Sequence, residues 1–219
     1  MLAMSFVSAL LVAIVMTTMQ VSHIYNRGLT LREVNQAGRA VLEDMQNTIA
    51  VSTPFSVDAS AATTRYVDRP GGGRLCTGKY TYAWNYGRSI AGISSAPAVY
   101  NKYTDDSVVR YAKVNDPGAG LCVNTSMRIN KANAVEILAA GDRDLAVHEV
   151  TVVNAANDTE TGQALYAISM TIGTNDQSQL LTANDSCKPP SANVGNEDYC
   201  SVNQFDIVVR AGNKSGGDR

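Results

Sequence analysis

The chain predicts an α+β fold: a long N-terminal helix, apolar and then amphipathic, packed against an antiparallel β-sheet. Three observations carry this. Residues 1–25 contain no Asp, Glu, Lys or Arg. The helical pattern continues through Leu29–Ile49, with no proline before Pro54. Beyond it the sequence changes to β-branched and aromatic runs divided by turn clusters. The chain divides accordingly into an N-terminal helix, 1–50, and a β-rich globular domain, 51–219, long enough to bury a core of its own.

At 1.5 Å per residue the uncharged segment spans roughly 37 Å, against about 20 apolar residues needed to cross a bilayer. Leu2, Phe6, Leu10, Leu11, Ile14 and Val15 are the residues that would meet lipid or neighbouring helices. A secretory signal peptide is disfavoured, because no Lys or Arg precedes the apolar run and Thr17–His23 offers no small-x-small cleavage site. In the amphipathic half, Leu31, Val34, Val41, Leu42, Met45 and Ile49 recur at three- and four-residue steps. Arg32, Gln36, Arg39, Glu43 and Gln46 do the same on another face. The first set predicts a stripe laid on the sheet, the second a face left to water or neighbours. Gly28 falls where the two halves meet, a natural place for bending. Pro54 ends the pattern, because its ring removes a donor and clashes with the preceding turn.

The formal net charge is −2, which gives no electrostatic case for nucleic acid. Arg65, Arg69 and Arg74 are the local basic residues, and they are sparse. All four cysteines, Cys76, Cys122, Cys187 and Cys200, fall in the globular part. An even count there predicts two disulfides in an oxidising compartment. Of the three possible pairings we favour Cys187–Cys200, because the enclosed turn-rich segment has little else to hold it. That leaves Cys76–Cys122. A metal site is not indicated: no Cys-x₂-Cys pair occurs, and His23 and His148 lie far from the cysteines.

Residues 51–75 are rich in Ser, Thr and Ala and end in Arg69-Pro-Gly-Gly-Gly-Arg74, which reads as loop. In Lys79–Tyr86 the side chains of Tyr80, Tyr82, Trp84 and Tyr86 alternate with smaller ones, the mark of a strand whose aromatic face the helix covers. Further strands are predicted at Val108–Val114, Leu121–Ile129, Leu145–Asn154, Gln163–Thr174 and Val202–Arg210, with a hairpin loop at Ala155–Gly162. The tail from Asn213 is expected to fray.

The sequence carries no catalytic pattern: no G-x-S-x-G, H-E-x-x-H or P-loop occurs. Adjacent His148 and Glu149 lie in an alternating strand and would face opposite sides, so a surface or half-buried histidine is expected. Asp105, Asp106, Asp142 and Asp144 read as turn carboxylates, without the spacing of a calcium loop. We therefore expect neither an enzyme nor a cofactor.

Over residues 1–50 the chain resembles the type IV pilins, and among them the PilW-like minor pilins. Met1-Leu-Ala-Met-Ser-Phe6 and the apolar run are similar to the early mature helix of a pilin. Leu31–Met45 is similar to the second half of that helix. Cys76–Asn85, Phe205–Gly212 and the Cys187–Cys200 pair before the last strand resemble the family less specifically. The resemblance implies a pilin-like fold and a structural subunit of a pilus-like filament, a minor pilin or pseudopilin. Such a subunit is held in the cytoplasmic membrane by a single pass, with its C-terminal domain outside, and becomes extracellular on assembly. Its implied partners are other pilin subunits, the inner membrane, and the pilus or secretion-system assembly machinery; nucleic acid is not among them. The family's basic leader and the acidic residue just inside its mature end do not occur, the first carboxylate being Glu33. We expect Met1 to be an internal methionine with the missing residues encoded upstream. The alternative is a membrane-tethered extracytoplasmic binding protein that never polymerises, adhering through the Tyr-rich strand or the Cys187–Cys200 loop.

Overall fold

In the computed structural model, residues 2–58, 61, 63–138, 144–158, 160, 162–181, 186–189 and 199–212 are described. One helix, α1, runs unbroken from Leu2 to Ala50, about 74 Å at the standard rise. The helix is not interrupted at Gly28, where an added Cβ would meet open space. It ends four residues before Pro54: Ser52 returns its backbone N–H and its hydroxyl to Ile49 O, and Gly212 N–H donates to Ser52 O. The end of the helix is thereby tied to the end of the last strand.

The strands form two main antiparallel sheets instead of the single sheet expected. The first has five strands in sequence order, β1 (Tyr66–Arg69), β2 (Gly72–Cys76), β3 (Tyr80–Asn85), β4 (Tyr111–Asn115) and β5 (Ala134–Glu136). The second has three, ordered β10 (Val202–Ala211), β7 (Gln163–Thr174) and β6 (Leu145–Asp158). A short pair, β8 (Leu180–Leu181) and β9 (Ser186–Cys187), lies apart, and the bridge Tyr86–Val147 links the two main sheets. The principal core forms where α1 and both sheets converge. Val41, Met45 and Ile49 meet Tyr82, Trp84 and Tyr111 from one sheet, and Tyr166, Ile168, Met170 and Ile172 from the other. The Tyr82–Trp84–Tyr86 face is thus covered jointly by the helix and the second sheet.

Three expectations are corrected. Gly72–Arg74 is not loop. Pro70 and Gly71 turn a β-hairpin, and Gly72, Gly73 and Arg74 lie inside β2. Gly73 sits opposite Trp84 in the ladder, where an added Cβ would come within 2.5 Å of the indole; the glycine leaves room for the ring. Leu121–Ile129 is not a strand: past the one-turn helix α2 (Gly87–Ile90), it holds the short helix α3 (Gly120–Val123) and turns. Its carbonyls are gathered by Arg74, which is 1% exposed. That guanidinium donates to Leu121 O at 2.6 Å, Met127 O at 2.8 Å and Asn101 Oδ1 at 2.7 Å, and stacks on Tyr100. A buried cation without a carboxylate is tolerable only when its protons are placed in this way. Finally, β6 runs on through Asp158, past the expected end of the strand, with irregularities at Val147/Glu149 and Asn154/Ala156. The first breaks the alternation, so Val147 and His148 are both buried while Glu149 is exposed.

Candidate membrane and assembly helix

The first half of α1 packs on nothing within the described residues. The window apolar enough to cross a membrane has a mean hydropathy of 1.7 and none of it is buried. Phe6 is 69% exposed and Leu11 56%, and Leu10, Ile14 and Val15 are also exposed. Leu2 begins the helix, but its side chain lies outside the described residues. The hydroxyls in this half turn inward: Ser8 donates to Met4 O, Thr17 to Ala13 O and Ile14 O, and Thr18 to Val15 O. These returns satisfy each hydroxyl proton without water, as an apolar surrounding requires. A helix apolar on every face and devoid of packing is suited to lipid or to other helices.

The second half is different. Val34, Val41, Leu42, Met45 and Ile49 are buried, and at about 2 kcal/mol each they contribute on the order of 10 kcal/mol of apolar burial. Gly38 lets the Phe205 ring lie on the helix backbone; an added Cβ would sit 2.3 Å from that ring. Arg32, Gln36, Arg39, Glu43 and Gln46 are exposed. Leu31 departs from its expected place and is 48% exposed. By angle it belongs to the buried arc, and the adjacent Thr30 is fully buried, but Leu31 lines an open groove shared with Val202 and Gln204.

Polar contacts lock helix to sheet. The Tyr82 hydroxyl donates to Asp44 Oδ2 at 2.6 Å and lies 2.8 Å from Thr48 Oγ1; Lys113 Nζ donates to Asp44 Oδ1 at 2.9 Å. Burial, then the hydrogen bond to Asp44, pushes the Tyr82 phenol well above its ordinary range. At the other end of the contact, Asn26 Nδ2 donates to the Tyr199 hydroxyl at 3.1 Å, which places residues 199–202 beside the helix just past its uncharged segment.

Both disulfides form, Cys76–Cys122 and Cys187–Cys200. The first fastens β2 to α3, beneath which Val67 and Ala119 are also buried. Of the loop enclosed by the second, residues 190–198 lie outside the described set, as do the tail from Asn213 and Asp142. Asp144 pairs with Arg110, Asp105 with Lys131 and Asp106 with Arg128. Of the three arginines considered for nucleic acid, Arg74 is buried, Arg65 donates to Gly118 O and Arg69 is exposed. His148 is fully buried and donates from Nε2 to Thr174 O. Among the described residues no group of three or more His, Cys, Asp and Glu side chains is placed to hold a metal ion.

Sequence reasoning missed a groove of about 1240 Å³ between α1 near Arg27 and Leu31, the β1–β2 turn, β6 and the Cys187–Cys200 region. Its walls come from seven separate stretches of chain, so no local motif marks it.

A single helix of membrane-crossing length, continuing into a head of antiparallel sheets, is in general outline a pilin-like arrangement. In comparisons with known proteins, no family model, no curated protein and no solved structure matches this chain.

Proposed function

We propose that the chain is a structural subunit of a type IV pilus-like filament, a minor pilin or pseudopilin, held in the membrane by α1 before assembly. One observation carries the reading: the first half of α1 is apolar on every face and unpacked, while the second half is fastened to the head. The apolar half then has two environments available to it, lipid and the helices of sister subunits. Lipid tails are as apolar as leucine, so the exchange between them is nearly neutral in hydrophobic free energy, and close packing decides it. Ala9, Ala13 and Thr17 follow at four-residue steps on one exposed face, the kind of small-residue row along which helices approach closely.

The test uses the absence of free thiols among the described residues. An Ala13→Cys variant of the full chain is expressed in its own host and its thiol is labelled with a maleimide–benzophenone, which on irradiation inserts into a C–H bond of any neighbour; filaments are sheared from the cells, and both fractions are irradiated. The expected result is the chain in the sheared fraction, cross-linked to a neighbouring subunit through Cys at that position. Retention in the membrane alone, without cross-links, would refute polymerisation and leave the tethered binding protein as the reading.

A further inference from the structure

We infer that the groove beside Arg27 is a binding site for the phosphodiester headgroup of an anionic phospholipid, in the leaflet that the head faces. The inference rests on the membrane-held state proposed above. Its first support is position. If the hydrocarbon ends near Ile24, Arg27 stands about 4.5 Å beyond it, within the headgroup layer of roughly 5–8 Å on each side of a bilayer. Tyr25, 65% exposed, stands at the boundary, where amphipathic rings collect. The Asn26–Tyr199 hydrogen bond draws the Cys200 end of the groove to the same level.

The second support is charge. Arg27, Arg69, Arg88 and Lys188 line the groove, against the carboxylates Asp68 and Glu149, in a chain whose net charge is −2. Among the described residues none of these four cations forms a salt bridge. Asp68 accepts from the Tyr86 hydroxyl at 2.7 Å, and Lys188 Nζ gives one proton to Ser178 O at 2.6 Å and keeps two. The third support is an unmet donor. Arg88 lies over the Tyr86 ring at 5.9 Å, and its buried Nε finds no hydrogen-bond acceptor among the described residues. A guanidinium beside an aromatic ring, with a donor left unpaired, is suited to phosphate.

The test uses the full-length protein in nonionic detergent, incubated with an equimolar mixture of phosphatidylglycerol and phosphatidylcholine. Retained lipid is identified by native mass spectrometry. A cation close to an anionic surface favours association by about five-fold, so the wild type is expected to prefer phosphatidylglycerol by at least about tenfold. Arg69→Gln/Lys188→Gln, both at exposed positions, should remove most of that preference, and Arg69→Lys should keep it. Equal retention of the two lipids by the wild type, or an unchanged preference in the double variant, would overturn the inference. So would inorganic phosphate at millimolar concentration emptying the groove of lipid, which would reassign the site to a soluble anion. Flotation with vesicles of phosphatidylcholine alone reports insertion of α1 separately. Failure there sinks the membrane-held reading itself, whereas flotation without headgroup preference sinks only the groove.

Discussion

Replacing Leu11 by aspartate places a carboxylate near the middle of the uncharged half of α1, on a surface with no cover from the head. On insertion scales Leu, Ile, Phe and Val each favour the helix centre by about 0.3–0.6 kcal/mol, and Asp opposes it by about 3 kcal/mol. Phe6, Val7, Leu10, Leu11, Val12, Ile14, Val15 and Val21 together supply on the order of 3 kcal/mol by that reckoning. One substitution costs about 3.5 kcal/mol, roughly a 300-fold shift in partition, and so cancels the whole preference. Since Leu11 contacts nothing in the head, head stability should not change. The assay is alkaline extraction of membranes for retention, sheared fractions for assembly, and thermal melting of the purified chain. The variant should leave the membrane pellet and be missing from filaments, with an unaltered melting temperature. Normal levels of Leu11→Asp in sheared filaments would refute the claim that this half of the helix is buried among lipids or sister helices.

Other expectations concern the head. Gly38→Leu should push Phe205 off the helix, since even a Cβ would stand 2.3 Å from the ring, at a cost of about 1–3 kcal/mol; Phe205→Ala should restore part of the loss in a double-mutant melting experiment. Removing Cys76–Cys122, which closes a separation of 46 residues, should cost about 4 kcal/mol, and removing Cys187–Cys200, with a separation of 13, about 3 kcal/mol. Equal effects would contradict the loop-length argument. Tyr82, Tyr86 and Tyr111 all have phenols raised above the ordinary value of 10.0, chiefly by burial. The unfolded chain ionises there while the folded chain cannot, so their contribution is intact below pH 10 and declines above it. Tyrosinate absorbance should therefore appear in step with unfolding as pH rises, and an early, non-cooperative rise would refute their burial. Asp105, hydrogen-bonded first by the Ser107 hydroxyl, has its carboxyl lowered to about 2; NMR titration of Ser107→Ala should return it toward 3.8.

The parts legible in the sequence are those where one periodicity faces one environment. The stripe through Val34, Val41, Met45 and Ile49 is readable because α1 has water on one side and a sheet on the other. Gln163–Thr174 is readable because β7 is the central strand of its sheet and alternates along its length. Failures occur where a residue serves a neighbour and not its own segment. Gly72 and Gly73 look like loop because nothing local reveals that Trp84 needs the space above them. Leu121 and Ile129 look like strand because both are apolar, yet a distant arginine holds the Leu121 carbonyl and Ile129 makes only an isolated bridge to Tyr103. Leu31 had the right angle on the helix but faces the groove, which nothing in its own segment reveals. The groove was beyond reach for a related reason: Arg27, Arg69, Arg88 and Lys188 come together only after two sheets and a disulfide have been assembled.

In the membrane-held state proposed above, the continuity of α1 would link the membrane to the head mechanically. From Tyr25 to Ala50 the helix rises about 38 Å, and it is gripped by β10 along Asn35–Ile49 and by Asp44, Thr48 and Lys113 near its end. A tilt of about 20°, ordinary for a membrane helix, therefore displaces Ala50 sideways by roughly 13 Å and turns the head with it. The head lies beside the helix, so tilting toward its own side presses the Arg27 groove into the headgroup layer, and tilting away lifts it out. Cations at that level would bias the tilt before assembly. Under the proposed assembly that bias would be given up on extraction, while the helix–sheet contacts at Asn35, Asp44 and Thr48 would pass unchanged into the filament.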